Sequence, residues 1–295
     1  MGYSETILSI AGLNMILALS FYTTLAVGQF SLAQVGFWAI GAYSSAVLTT
    51  LYGVPLLPAL LAGGALCAVI GAILGYPCLR IRGIYLALAT LGFSETVQVF
   101  FANVSFQQMI DGRIVGPDGL LGFRNIPVQT TLSEIFGFLL LLVILLTWLN
   151  RSLLGAAMAA VREDETAAHC VGVDVVLVKV LAFSIGAAIA GVGGGLYANY
   201  ASYIIAHDFN FHLTLVAVLF VAVGGIETFW GPILGALVLT VIPEYFRFLQ
   251  DYRMIFYGVL VVAIVIVRPK GLIDDALLER LRRLLSRGPA KRPAG

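Results

Sequence analysis

The chain has 295 residues, of which 60% are hydrophobic and only 11% charged, with a net charge of +1. Soluble domains average about half apolar and about a quarter charged residues, so a water-soluble domain is excluded and a polytopic membrane protein is indicated. The near-neutral balance gives no basis for a nucleic-acid partner. Apolar runs near the roughly 20 residues needed to cross a bilayer fall at 6–27, 33–51, 55–76, 84–103, 131–149, 178–201, 212–226, 232–247 and 253–268. The seventh and eighth are short and divided by Gly224 and Gly225, which reads as a pair of half-spans. The second is interrupted at its start by Gly28 and Gly36. The expected fold class is therefore all-α: an integral membrane protein of about nine transmembrane helices, some broken or re-entrant.

The first run begins at Ile7 with no Lys or Arg before it. A signal peptide has a basic leading region, so this run is read as a retained membrane helix. The three cysteines, Cys67, Cys78 and Cys170, lack metal-ligand spacing and read as reduced thiols. Loop charge then orients the spans. Arg80, Arg82, Arg151, Arg162, Lys179 and eight basic residues from Arg268 to Arg292 fall on one side, thirteen of the seventeen Lys and Arg. Arg113, Arg124, Arg247 and Arg253 fall on the other. The asymmetry predicts a cytoplasmic loop 150–178, a cytoplasmic C-terminus and, by parity, an external N-terminus. The longest external loop, 104–130, carries the turn signal Pro117-Asp118-Gly119 and reads as a solvent-facing turn.

Charge is concentrated in the loop 150–178, where Arg162, Glu163, Asp164 and Glu165 are consecutive. Residues 155–170 combine Ala, Met and both signs of charge, which suits a helix, and Gly172 suits its stop. A few residues would join two spans, so a helix of this length invites docking to a partner. A plain solvated connector is the alternative. The stretch AVREDETAAHCVGVDVVLVKVLAFSIGAAIAGVGGGLYA resembles permeases for branched-chain amino acids, as do GQFSLAQVGFWAIGAY, GIYLALATLGFSE and YRMIFYGVLVVAIVIVRPKGL. These four motifs occur in the family's order between Gly28 and Leu272. Within the first, Glu165, Ala167, Ala168 and Gly172 stand where ABC importer permeases carry the Glu-Ala-Ala…Gly pattern of their coupling loop, with Thr166 inserted. Gly224-Gly225-Ile226-Glu227-Thr228 departs from the family's Gly-Gly-x-Gly-Ser pattern by an acid, which bears on substrate identity.

The resemblance implies a type II importer-like permease with a transmembrane domain over 1–272, coupled through Arg162, Glu163, Asp164, Glu165, Ala167, Ala168 and Gly172. It implies a second homologous permease, two cytoplasmic ATP-binding subunits holding ATP and magnesium, an extracytoplasmic solute-binding protein, and a bacterial inner membrane. The chain has no catalytic residues in this reading and no cofactor of its own; no G-x-x-x-x-G-K-[ST] loop is present. An ion-coupled secondary carrier is the alternative, although it calls for more intramembrane acids than Glu95.

Candidate pathway residues follow from polarity inside spans. Thr90, Ser94 and Gln98 recur at i, i+4 and i+8 with Glu95 beside them, forming a stripe that suits either a solute pathway or a helix–helix hydrogen-bond seam. Gly28 with Gln29, and Gly224 with Gly225, precede GFWAIGA and GPILGA, a weak internal repeat. Interrupted helices at corresponding positions would present backbone N–H groups to an anionic group, or the glycines would serve close packing. Gly191 and Gly195, four residues apart, are assigned to helix packing. His207, Asp208 and His212 read as incidental rather than as a metal site. Residues 273–295 read as a basic amphipathic helix from about Asp274 to Ser286, bearing Leu277, Leu278, Leu281, Leu284 and Leu285 on one face, followed by a disordered end. Such a helix suits the anionic lipid of the inner leaflet.

Overall fold

A computed structural model describes residues 2–78, 81, 83–110, 113–127, 130–245, 258 and 262. Ten α-helices are described: α1 (Tyr3–Leu25), α2 (Gln34–Leu51), α3 (Leu56–Cys78), α4 (Ile84–Asn103), α5 (Leu132–Arg151), α6 (Leu153–Glu163), α7 (Glu165–Cys170), α8 (Val175–Ala201), α9 (Phe211–Gly224) and α10 (Trp230–Tyr245). Among the described residues, six segments are long and apolar enough to cross a membrane: α1, α3, α4, α5, α8 and Ala206–Gly224. The chain is thus a multi-pass, mostly helical membrane protein. The ninth expected span, 253–268, lies outside the described residues except for Val262 and Gly258, as do the C-terminal amphipathic helix and tail.

Polar side chains set several helix starts, because the first N–H groups of a helix have no partner within it. Thr131 and Glu134 form a reciprocal cap on α5, with the Thr131 N–H donating to Glu134 Oε2 at 2.6 Å. Asp174 accepts from the Leu177 N–H at 3.0 Å to open α8, and Asn210 accepts from the Leu213 N–H at 3.1 Å to open α9. α9 has 14 residues, about 21 Å at the helical rise, which is short of a roughly 30 Å hydrocarbon core.

The interior is built around α1 and α8. α8 packs on α3, α2 and α1, while α1 also meets α10, α5 and α9. Ile16, Leu17, Ala18 and Leu19 of α1 are essentially inaccessible. α3, α4 and α5 instead carry exposed apolar side chains, including Val69, Ile73, Leu88, Phe100, Leu140 and Trp148. An apolar outer surface is what contact with lipid or another membrane subunit requires. Helix approach along α8 depends on absent side chains. A Cβ on Gly194 would collide with the Trp38 carbonyl, and one on Gly191 would lie 2.7 Å from Cys67 Sγ. At Gly195 it would meet Leu60 Cδ2 at 2.6 Å and Ser45 Cβ at 3.0 Å. Beside this seam, buried Asn199 donates to Ser45 Oγ at 3.0 Å, tying α8 to α2.

The mostly helical fold carries one exception, in the loop 104–130, which is more than the solvent-facing turn expected of it. The loop contains a three-stranded antiparallel sheet of β1 (Gln108–Ile110), β2 (Arg113–Pro117) and β3 (Phe123–Arg124), in the order β1-β2-β3. Gln108 pairs with Val115, and Gly116 with Arg124. The Pro117-Asp118-Gly119 signal marks the reversal between β2 and β3, which passes through a 3-10 turn at Gly119–Leu121. This turn packs on α4 and β2 packs on α2, while fully buried Phe123 bridges to Ile204 beyond α8. The loop is therefore a folded cover on one end of the bundle. Tyr3 lies near the opposite end from the charged loop, and its hydroxyl donates to Glu244 of α10 at 2.7 Å.

Gly194→Val is expected to lower the melting temperature of the detergent-solubilised protein, since overpacking a fixed core costs about 1–3 kcal/mol. Gly137→Ala, at an exposed site on α5 with nothing within 4 Å of the added methyl, should leave it unchanged or slightly raised. Equal melting of both variants in a thermal gel-filtration assay would contradict the packing described for α8.

Candidate coupling site and polar seam

The charged loop forms two helices rather than the single one expected over 155–170. Ser152 leaves α5 in extended conformation and its hydroxyl accepts from the Gly155 N–H at 3.3 Å, opening α6. α6 buries Met158 and Val161 and ends at Glu163. Asp164 then adopts φ −155° and ψ 111°, which breaks the helix. Its carboxylate accepts from the Thr166 N–H at 2.7 Å and the Ala167 N–H at 3.1 Å, restarting the chain as α7. The bonds from Ala167 first and Thr166 second hold the Asp164 carboxyl below its ordinary range. The helix pattern of the sequence concealed this break because Asp competes for its own backbone N–H groups where a straight-chain residue would not.

Ala168 of α7 is buried, whereas Thr166, Ala167, His169 and Cys170 are exposed. α7 stops where Gly172 takes φ +88°, with the Gly172 N–H donating to His169 O at 3.0 Å and the Val173 N–H to Ala168 O at 3.1 Å. Glu165 bonds across to Lys179 on α8 at 2.5 Å, and only 8% of the Lys179 side chain is exposed. The short loop helix is thereby fixed to the longest helix of the bundle. Lys179 was legible in the sequence as an orienting charge but not as the partner of Glu165, because the pairing needs the turn at Gly172 to fold α7 back on α8.

Arg162, in the last turn of α6, meets two distant chain breaks. Its Nη1 donates to Ile226 O at 3.2 Å, just beyond α9. Its Cα lies 3.6 Å from where a Gly28 Cβ would stand. Gly28 has φ +76° and Gly225 φ +99°, conformations that a Cβ strains. Gly224 lies closely against Gly231, which folds α9 back on α10.

The polar stripe of α4 divides between two surroundings. Thr90 and Ser94 are buried against the unwound segment between α1 and α2. Thr90 Oγ1 accepts from the Leu32 N–H at 2.9 Å and donates to Leu86 O at 2.8 Å. Ser94 Oγ donates to Leu32 O at 2.9 Å and accepts from the Gly36 N–H at 3.1 Å. Glu95 is half-buried, and half-buried Gln98 lies 3.5 Å from His207 Nδ1. Gln29 is buried, its N–H donating to Thr24 O at 3.1 Å. The side-chain amides of Gln29 and Gln34 find no partner among the described residues. Gln34 escaped the sequence reading because it looks like an ordinary helix start; Gly186, where a Cβ would lie 3.1 Å from Gln34 Nε2, brings α8 against it. No group of three or more His, Cys, Asp or Glu side chains suited to a metal occurs among the described residues, and His207, Asp208 and His212 form none.

A bundle of membrane helices, with a charged loop bonded to α8 and to the segment after α9, makes this a multi-pass membrane protein, and its relatives define its class as transport permeases. The model of the permease component of branched-chain amino acid transport systems matches residues 3–265, so the chain belongs to that family. It is 34% identical over 314 aligned residues to the high-affinity branched-chain amino acid transport system permease protein LivM of Escherichia coli strain K12, covering 95% of this chain and 69% of that protein. The LivM of Salmonella typhimurium strain LT2 gives the same identity and coverage. The probable LivM of Methanocaldococcus jannaschii is 26% identical over 243 residues, covering 75% of this chain and 68% of the relative. No solved structure matches.

The lowered acidity range of Asp164 fixes the sign of a pH effect. A carboxylate held low contributes stability above its unfolded value, near 3.9, and loses it as pH falls through the lower folded value. The Thr166 and Ala167 amide resonances should therefore shift together only below the ordinary carboxylate range, and Asp164→Asn should remove that shift. Titration of both amides near pH 6 would contradict the cap. Gly172→Ala should cost about 1–2 kcal/mol locally, seen as faster amide exchange in α7.

Proposed function

We propose that this chain is the membrane-spanning subunit of an ABC importer that carries branched-chain amino acids by ATP-driven alternating access. Its partners in this reading are a second homologous permease, two cytoplasmic ATP-binding subunits and an extracytoplasmic solute-binding protein. ATP and magnesium reside on the ATP-binding subunits. The chain lies in a bacterial inner membrane, with α6–α7 and the C-terminus in the cytoplasm. The placement of thirteen of the seventeen Lys and Arg on that side supports this orientation.

The observation that carries the reading is the bond from Glu165 to the nearly buried Lys179, which makes α7 an extension of α8. A push delivered to a flexible connector would dissipate in bond rotations. A push delivered to α7 reaches α8, and α8 packs on α1, α2 and α3. The outer surface of the loop suits the groove of a partner: Ala156, Ala159, Thr166 and Ala167 are exposed and small, and Val171 is 78% exposed. Nucleotide state on the partner can shift the permease between its forms only through contacts that differ between them. Thr90 and Ser94 support a role in holding the α1–α2 break in register, while Glu95, Gln98, Gly28, Gln29, Gly224 and Gly225 are proposed to border the route of the solute.

Reconstitution with the partner permease, both ATPases and the binding protein tests the reading through uptake of labelled leucine. Glu165→Ala leaves the Lys179 ammonium without that bond, at a cost of roughly 1–3 kcal/mol. Uptake per ATP hydrolysed should fall roughly fivefold or more, while membrane insertion persists. Unchanged uptake by this variant, or accumulation by the isolated chain under a proton gradient alone, would contradict it.

A further inference from the structure

We propose that Arg162 is a positioning residue that fastens the loop helix to both chain breaks, between α1 and α2 and between α9 and α10, so that one movement of α6 reaches the two together. The inference rests on the transport reading for its consequence, but its geometry stands apart from it. Gly28 and Ile226 are remote in sequence, yet both lie against this one residue: Gly28 against its Cα, and the Ile226 carbonyl against its guanidinium. The Gly225 N–H closes α9 by donating to Val221 O at 2.8 Å, after which the chain leaves the helix with φ +99°. Ile226 O therefore stands past the C-terminal end of α9, where the helix dipole is negative and a cation is favoured. A guanidinium donor there completes a carbonyl that the helix no longer serves.

On the other side, glycine at position 28 permits the chain to turn at φ +76°, and the backbone of α6 lies alongside that turn. Beyond that turn, Thr90 and Ser94 anchor Leu32 and Gly36 to α4. The α1–α2 break is thus held at one end by α4 and met at the other by α6. Displacing α6 changes the spacing between those supports, and the bond to Ile226 carries the same displacement to the α9–α10 break. The bond between Glu165 and Lys179 is a different link, joining α7 to α8.

Hydrogen exchange of the full chain in lipid nanodiscs tests the fastening without any solute. Arg162→Ala, which removes the guanidinium but keeps the Cα that Gly28 lies against, should raise exchange roughly fivefold around Ile226. Gly28→Leu, whose side chain must displace α6, should raise it around Gly28 and around Ile226 together, and both variants should leave α7 and the start of α8 unchanged. Arg162→Lys, which keeps a donor able to reach the carbonyl, should restore protection around Ile226 in part. In the reconstituted complex, Arg162→Ala should lower uptake per ATP hydrolysed roughly fivefold, whereas a merely structural defect would lower uptake and hydrolysis together and leave their ratio unchanged. Unchanged exchange around Ile226 in Arg162→Ala or in Gly28→Leu, or parallel loss of hydrolysis and uptake without rescue by Arg162→Lys, would overturn the proposal. A wild-type complex lacking ATP-driven uptake would refute the transport reading instead, and exchange at the two breaks would still decide the fastening.

Discussion

A helix interrupted inside a bilayer exposes backbone N–H and C=O groups that lipid cannot satisfy, so every break must be served by protein. The two chain reversals described here, between α1 and α2 and between α9 and α10, are both served by side chains from other helices. The break between α1 and α2 is served by two hydroxyls of α4, with Thr90 meeting the Leu32 N–H and Ser94 meeting both Leu32 O and the Gly36 N–H. The break between α9 and α10 is served from outside the bundle by Arg162. The chain thereby links the reversal between α9 and α10 to a highly charged loop. A side chain that satisfies a backbone group also transmits force to it.

The two ends of the bundle differ in how they are finished. At one end the small sheet of 108–124 lies over α2 and α4 and is pinned to the segment after α8 through Phe123 and Ile204. At the other, α6 and α7 pack against α8 and are joined to it by an ion pair whose Lys179 end is nearly buried. Burying Lys179 is costly in itself, and removal of Glu165 would expose that cost in full. The pair is better understood as a specification of where α7 sits than as a source of stability.

Much of the helical layout was legible because hydrophobic run length is a direct consequence of bilayer thickness. The runs at 84–103 and 178–201 match α4 and α8 to within a few residues. Glycine marked both breaks, since Gly28 and Gly225 adopt conformations that other residues resist. The sheet escaped notice because its strands have two to five residues and no sustained alternation. The kink at Asp164 escaped because Asp, in a run of alanines and charges, reads as helix surface until its carboxylate is seen to bond Thr166 and Ala167. The polar stripe of α4 was visible as a period. Its division between Thr90 and Ser94, facing the unwound chain, and the half-buried Glu95 and Gln98 depends on tertiary packing and has no local signature.

The central claim is that α7 and α8 move as one body. A cross-link between Glu165→Cys and Lys179→Cys by a short bifunctional thiol reagent, in a background lacking Cys67, Cys78 and Cys170, measures it directly in the reconstituted complex. The double variant lacks the ion pair and should take up leucine poorly; the account predicts that a reducible cross-link restores ATP-driven uptake, because the two positions never separate. Uptake that falls further on cross-linking and recovers on reduction would show that they part during the cycle, and would contradict it.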